Sequence, residues 1–152
     1  MMTEKRGVGL GVRHADCQAA IFYDPKKHVI AGVHAGWRGN VKNIYKKTIQ
    51  QMKRTYGTNP KDLIVCISPS LGPSNAEFTN YKTELPESFW RFKEQECHFN
   101  LWEIASGQLI ELGVPEDQIE IASICTFDHE NDFFSFRRER KTGRNLTLCG
   151  II

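Results

Sequence analysis

Two short segments of the chain carry residue types that enzymes use for chemistry. In RHADCQAAIFYD, Asp16 and Cys17 stand directly before an apolar run, and in VIAGVHAGWRGN a second apolar run ends at His34. A thiol and an imidazole a few Å apart can form a nucleophile pair or bind one zinc ion together. A buried cysteine beside a hydrogen-bonded core histidine, with no chemical role, would give the same sequence pattern. The residue types alone leave these interpretations open.

The residues that follow His34 predict an anion-binding site. Gly36 and Gly39 allow close approach to the backbone, and a helix starting here would leave unpaired N–H groups at its N-terminus. Arg38 adds a planar fork of donors suited to phosphate or carboxylate. The alternative is that the glycines only shape a tight turn and Arg38 pairs with a surface acid.

The elements around these segments would bring Cys17 and His34 together. Gln18 to Tyr23 and Val29 to His34 are rich in strand formers, and YDPKKH between them carries Asp-Pro turn chemistry. If the two strands are antiparallel neighbours, Cys17 and His34 lie at the same end of the ribbon and within several Å across the ladder. The chemistry therefore depends on this hairpin.

The rest of the chain alternates strand and helix patterns. Apolar spacing predicts a helix over 41–56 ending at Gly57, a second near Glu87, and a third capped by Asn100 with Glu103 and ended by Gly113. Further strands are predicted at 63–68, 119–126, 133–137 and 145–151. This order predicts a mixed α/β or α+β fold, and 152 residues fit one domain, 1–152.

Composition excludes several classes of protein. Apolar residues make up 40% and charged residues 25%, which is typical of a globular chain. The net charge is only +2, and the RRERK run at 137–141 is typical of a solvated face, so no nucleic-acid partner is expected. No segment is long and apolar enough to cross a membrane, and the start lacks signal-peptide features, so a cytoplasmic location is expected. An odd number of cysteines without a C-x-x-C pair argues against a disulfide framework.

With these segments in view, the chain resembles the YfiH family, also called laccase-domain or polyphenol oxidase proteins. The matching signatures span essentially the whole chain in the family's order: ADC at 15–17, HAGWRG at 34–39, SPSLG at 68–72, CT at 125–126, FFSFRR at 133–138 and TGRN at 142–145. The resemblance implies layered mixed β-sheets flanked by helices, as in the catalytic domain of cytotoxic necrotizing factor toxins.

The resemblance also implies a chemistry. Family members carry a mononuclear zinc site of two histidines and one cysteine, of which Cys17 and His34 would be two ligands. Their activities are adenosine deamination and phosphorolysis of purine nucleosides, so a purine nucleoside and phosphate are the expected partners. In deamination Asp16 would orient or deprotonate the water, and in phosphorolysis Arg38 and the amides after Gly36 would hold phosphate. An older laccase label rests on copper-dependent phenol oxidation.

The chain departs from the family at its start. Relatives are longer and take their third ligand from a histidine upstream of ADC, whereas this chain begins sixteen residues before Cys17, so an N-terminally truncated domain is expected. The first twelve residues, MMTEKRGVGLGV, resemble an internal strand of the family. His14 could replace the missing ligand, although strand alternation would put it on the face opposite Cys17. Three alternatives remain: a metal-free cysteine hydrolase using Cys17 and His34, a copper-dependent polyphenol oxidase, and an inactive domain with a structural or binding role.

Overall fold

A computed structural model describes residues 1–152, and an antiparallel hairpin lies at its centre. Strands β3 (Gln18–Asp24) and β4 (Val29–Ala35) pair from Asp24–Val29 at the turn to Gln18–Ala35 at the far end. One carboxylate oxygen of Asp24 accepts the backbone N–H groups of Lys26 and Lys27 at 3.0 Å each. The predicted hairpin and its Asp-Pro turn are therefore confirmed.

The strands form three sheets, and the hairpin belongs to the largest of them. The largest has five strands in the order β1-β4-β3-β5-β8, in which only β5 and β8 are parallel. A second sheet pairs β2 with β9, and a third pairs β6 with β7. The bounds of the strands other than β3 and β4 are Met2–Thr3 (β1), Gly9–His14 (β2), Ile64–Ile67 (β5), Lys93–Gln95 (β6), His98–Phe99 (β7), Ile119–Ile121 (β8) and Asn145–Gly150 (β9).

Helices are short except for two. The α-helices are Trp37–Val41 (α1), Ile44–Tyr56 (α2), Tyr81–Glu84 (α3), Leu101–Glu111 (α4) and Phe136–Glu139 (α5). Single 3-10 segments cover Pro60–Asp62, Pro73–Asn75, Glu87–Phe92 and Glu116–Gln118. The predicted mixed α/β class, with mixed sheets flanked by helices, is confirmed. No helix is long and apolar enough to reach from one side of a membrane to the other.

The central sheet is covered on both faces. Phe22 and Val33 of the hairpin pack with Tyr45 and Met52 of α2 in a core of 15 buried residues, to which α4 also contributes. The opposite face meets the β2–β9 sheet, where the Cβ position of Gly32 lies only 3.1 Å from a methyl group of Val12. The hairpin is thereby held between two layers.

Two sequence predictions for helices need correction. The helix predicted over 41–56 is broken, because Asn43 takes a left-handed backbone with φ of 45° and caps α2 by accepting the Lys46 N–H. Asparagine tolerates this region better than most residues, which makes it a suitable break point. The segment near Glu87 is a 3-10 helix rather than an α-helix. The ends of α2 at Gly57 and of α4 near Gly113 are as predicted, and both glycines have positive φ.

Two strand predictions also need correction. The segment 133–137 is not a strand: Ser135 accepts the Arg138 N–H and caps α5. The strand predicted over 119–126 ends at Ile121, and Ser123 has a φ of 51°. By contrast, Gly9–His14 does form a strand, as the family resemblance implied.

Candidate active site

A cavity of about 540 Å³ opens at the end of the β3–β4 hairpin that lies away from its turn. Cys17 and Gly36 form its floor where the two strands end, and α5 with the residue after it forms another wall. The volume is within the range of small-molecule sites. The lining residues include three arginines, Arg38, Arg137 and Arg140, and three aromatic residues, Trp37, Phe78 and Phe136.

Asp16 makes the turn that leads from β2 into β3. Its φ of 77° is in the left-handed region, which aspartate tolerates because its short side chain can hydrogen-bond locally. One carboxylate oxygen accepts the Thr126 hydroxyl at 2.8 Å, and the other accepts the Arg137 backbone N–H at 2.6 Å. The carboxylate therefore joins the cavity floor to the chain segment that carries α5.

Cys17 lies in the cavity directly against Gly36. Continuing the ladder one step beyond Gln18 and Ala35 places Cys17 opposite Gly36, and a Cβ on that glycine would be 2.9 Å from the Cys17 sulfur. Burial raises the pKa of the Cys17 thiol, and the negative charge of Asp16 raises it further, against a smaller lowering by Arg144. Without a bound cation, this environment favours the neutral thiol, which is a poor nucleophile.

His34 lies at the same end of the hairpin as Cys17, but outside the cavity. It pairs with Ala19 across the ladder, so strand alternation puts its side chain on the same face as that of Cys17. The ring is exposed, and its Nδ1 is 2.9 Å from the carbonyl oxygen of Arg13. The structure thus brings the two residues to one end, while only Cys17 lines the cavity.

His14 ends β2 and is buried. Its Nε2 lies 2.9 Å from the Thr147 hydroxyl, and its Nδ1 has no hydrogen-bond partner. Burial lowers the pKa of His14 and its interaction with His34 lowers it further, against smaller opposing effects of the Cys17 backbone and Asp16, so the neutral ring is favoured. The expectation that strand alternation separates residues 14 and 17 does not apply, because β2 ends at His14 and the left-handed Asp16 intervenes.

The resemblance implies a zinc ion, which would need suitable side-chain ligands near Cys17. A thiolate and an imidazole are ligands that zinc prefers, but a catalytic zinc site uses three protein ligands and an open position. No group of three or more His, Cys, Asp or Glu side chains is arranged to hold a metal ion, and His14 does not complete one. These 152 residues therefore do not form a full zinc or copper site.

The side chain of Arg38 has no carboxylate partner within the chain. It is exposed, its guanidinium carbon lies 4.0 Å from the ring centroid of Trp37, and it forms no ion pair with a carboxylate of the chain. The alternative that it pairs with a surface acid is therefore wrong. Gly36, the residue before α1, lines the cavity, whereas Gly39 lies behind it, with its Cβ position 3.6 Å from an Ile44 methyl group.

Sequence reasoning missed the arginines of α5. The RRERK run was expected to be a solvated face, but Arg137 and Arg140 line the cavity. The side chain of Arg138 is only 16% exposed and donates to the carbonyl oxygens of Thr126, Phe127 and Phe133. Phe133 just before the run is partly buried, but Phe134 and Phe136 are 49% and 46% exposed, so the aromatic residues gave little signal that this segment packs onto the protein.

A buried polar network holds the cavity floor in place. The side-chain oxygen of Gln18 accepts the Tyr45 hydroxyl at 2.6 Å and the Asn40 amide at 3.3 Å. The side-chain nitrogen of Gln18 donates to the Leu101 carbonyl at 2.9 Å, and Gln108 donates to the Asn40 carbonyl at 2.8 Å. These bonds tie the first residue of β3 to α1, α2 and the start of α4.

Comparison with known sequences gives one family and several relatives. The sequence profile described as "multi-copper polyphenol oxidoreductase laccase" matches residues 1–152. A protein of Bacteroides thetaiotaomicron named purine nucleoside phosphorylase is 36% identical over 157 residues, covering 97% of this chain and 58% of that protein. Purine nucleoside phosphorylase YlmD of Bacillus subtilis is 32% identical over 160 residues, covering 98% of this chain and 57% of its own length.

Two solved structures are similar to this chain over nearly its whole length. YfiH of Bacillus licheniformis superposes with a TM-score of 0.89 at 28% identity, and YlmD of Geobacillus stearothermophilus with 0.87 at 31% identity. Each comparison covers 99% of this chain, and 60% and 59% of the respective structures. The chain therefore spans somewhat less than two thirds of the proteins it matches.

Proposed function

Because this chain belongs to the multi-copper polyphenol oxidoreductase laccase family, whose relatives here are named purine nucleoside phosphorylases, we propose that its cavity binds a purine nucleoside and phosphate for phosphorolysis. The observation that carries the proposal is the pair Arg38 and Arg140. Both line the cavity, and neither forms an ion pair with a carboxylate of the chain. Two guanidinium groups without a protein anion favour a ligand with negative charge.

The cavity also offers surfaces for the uncharged part of a nucleoside. Trp37, Phe78 and Phe136 contribute rings to its lining, and aromatic rings stack on purine bases. Polar groups are available beside them at Ser70, Glu77 and Thr79, which can hydrogen-bond to ribose or to the edges of a base. An apolar wall with a few polar groups is typical of small-molecule sites.

The chemistry follows from this charge distribution. In phosphorolysis a phosphate oxygen bonds to C1′ of the ribose while the bond from C1′ to the base nitrogen breaks, and its electron pair leaves with the base, which takes up a proton. Arg38 and Arg140 would hold the phosphate dianion beside the sugar, with the N–H groups after Gly36 as further donors. Holding both reactants in one cavity lowers the entropic part of the barrier.

An incubation of the purified 152-residue chain tests the proposal. The chain is mixed with adenosine or inosine, with and without phosphate, and the products are separated by chromatography. The proposal expects adenine from adenosine and hypoxanthine from inosine, each with ribose 1-phosphate and only when phosphate is present. Formation of inosine from adenosine without phosphate would indicate deamination instead, and absence of any product would remove the enzymatic claim for this chain.

The same incubation separates the metal-dependent alternatives. Added zinc or copper tests whether a metal supplies what the donor set of these residues lacks, and a phenol substrate tests oxidation directly. Phosphorolysis that is unchanged by a chelator supports a reaction carried by the cavity's own residues. Activity that appears only with added metal would show that a metal takes part, and its loss in both Cys17→Ser and His34→Ala would assign these two residues as ligands.

A further inference from the structure

We infer that Asp16 is a positioning residue that holds Arg137 and the rest of α5 in the wall of the cavity. This inference rests on the proposed function and refines the role expected for Asp16 from the sequence. Although Asp16 lines the cavity, both of its carboxylate oxygens are engaged by protein donors, the Thr126 hydroxyl and the Arg137 backbone N–H. The carboxylate is therefore directed toward the α5 segment.

The bond from Asp16 reaches Arg137 at the start of a helix of only four residues. Such a helix has little stability of its own, because a single turn does not offset the cost of fixing its backbone. Ser135 caps the same turn by accepting the Arg138 N–H at 3.2 Å. Asp16 supplies the second anchor, and this one comes from a distant part of the chain.

The guanidinium of Arg137 is held in place as well. Both terminal nitrogens of its guanidinium lie 3.1 Å from the Glu77 carbonyl oxygen. Arg137 thus bridges Asp16 through its backbone and Glu77 through its side chain, and all three residues line the cavity. Loss of the Asp16 bond would release the backbone end of this bridge.

Arg140 depends on the same anchor. It follows α5 directly, has a positive φ of 61°, and donates its backbone N–H to the Phe136 carbonyl oxygen at 2.9 Å. The backbone position from which the Arg140 side chain extends is therefore set by the turn that Asp16 holds. The expected consequence of losing Asp16 is weaker phosphate binding with little change in the chemical step.

Two substitutions separate this role from a general effect on folding. Asparagine and glycine both tolerate the left-handed backbone at position 16, so Asp16→Asn and Asp16→Gly change the anchor without adding backbone strain. Asp24→Asn is the matched control, since the buried Asp24 carboxylate also accepts two backbone N–H groups, but at the hairpin turn away from the cavity. Thr126→Val removes one donor to Asp16 and leaves the carboxylate in place.

The kinetic test is a split between KM and kcat in phosphorolysis. Asp16→Asn and Asp16→Gly are expected to raise KM for phosphate about tenfold, the loss of one hydrogen bond to a charged group, with kcat within about threefold of wild type. Thr126→Val should shift KM in the same direction by less, and Asp24→Asn should leave both constants unchanged. A fall in kcat with unchanged KM would overturn the inference and indicate a chemical role for Asp16.

A second measurement needs no activity. Hydrogen exchange of the Arg137 amide reports the bond to Asp16 directly, because a hydrogen-bonded amide exchanges only when its bond opens. In wild type this amide should be protected, and in Asp16→Gly protection of Arg137 and its neighbours in α5 should be lost while that of α2 is retained. Equal protection in wild type and variant would overturn the anchoring role, even if the chain proves to have no phosphorolytic activity.

Discussion

Cys17 and Gly36 face each other across the end of the central hairpin, so closely that the glycine has no room for a side chain beside the thiol. A Cβ at Gly36 would lie 2.9 Å from the Cys17 sulfur, closer than such contacts normally come. The glycine is therefore needed for space, since its φ of −78° is open to any residue. The ends of β3 and β4 therefore come close together at this point, and the absence of a side chain at Gly36 leaves the cavity floor open.

Substitution of Gly36 by alanine is the first prediction. The added methyl group should turn the Cys17 thiol into the cavity, because rotation about one side-chain bond relieves the clash at little cost. We expect the free energy of unfolding to fall by about 1 kcal/mol. Affinity for adenosine should fall about tenfold, equivalent to about 1.4 kcal/mol of lost binding.

Urea denaturation and calorimetric titration with adenosine measure the two effects separately. Gly107→Ala is the control, because its Cβ would make an ordinary contact 3.4 Å from the Phe92 ring, within helix α4. That variant should bind adenosine as wild type does and be no less stable, since alanine favours helix. Equal adenosine affinity in Gly36→Ala and wild type would show that the cavity floor takes no part in binding.

The second prediction concerns Arg38 and Arg140. Replacing either by alanine removes a guanidinium that faces the cavity without an ion-pair partner, so KM for phosphate should rise about tenfold or more for each. Neither change removes a hydrogen bond within the protein, and the unfolding midpoint in urea should stay close to wild type. Arg54→Ala on the exposed surface of α2 removes the same charge away from the cavity and should leave KM unchanged. An equal effect from Arg54→Ala would point to net charge rather than to a site.

The third prediction tests the polar network under the cavity. Gln18→Ala leaves the buried Tyr45 hydroxyl and the buried Asn40 amide without their partner and removes the bond to the Leu101 carbonyl. The free energy of unfolding should fall by about 2–4 kcal/mol, because each orphaned buried group keeps its desolvation cost. A urea titration of Gln18→Ala, Tyr45→Phe and the double variant measures the coupling. Additive effects in this cycle would contradict a shared network.

The fourth prediction is a loss of stability at alkaline pH. Burial raises the pKa of Tyr45 above the model-compound value of 10.0, so the folded protein keeps the neutral phenol while the unfolded chain ionises. The contribution of Tyr45 is complete below pH 10 and is lost progressively as the pH rises above it, toward its raised folded-state pKa. Unfolding free energies from pH 8 to 11 should fall less steeply in Tyr45→Phe than in wild type. Parallel curves would mean that Tyr45 is not shielded from solvent.

Local patterns predicted the elements that lie around the site, because these depend on residues close in sequence. The hairpin, the left-handed Gly57 and the Asn100 cap of α4 follow from turn and capping chemistry, which acts over a few residues. The break at Asn43 escaped prediction because the apolar spacing continues across it. Phe133 to Arg137 failed as a strand because its backbone is organised by Ser135, a cap that strand propensity does not register.

The cavity itself could be predicted only in part. Asp16, Cys17, Gly36 and Arg38 are near one another through the hairpin, and the sequence indicated them. Arg137 and Arg140 reach the same cavity through bonds between residues more than a hundred positions apart, such as Asp16 with Arg137, and no local pattern carries that information.

A crystal structure of the chain with adenosine and phosphate would show whether both ligands bind in the cavity. We expect a phosphate between the guanidinium groups of Arg38 and Arg140, with the sugar near Gly36 and the purine against Trp37, Phe78 or Phe136. Phosphate and nucleoside bound at another surface, or a cavity that stays empty at millimolar concentrations of both, would contradict it.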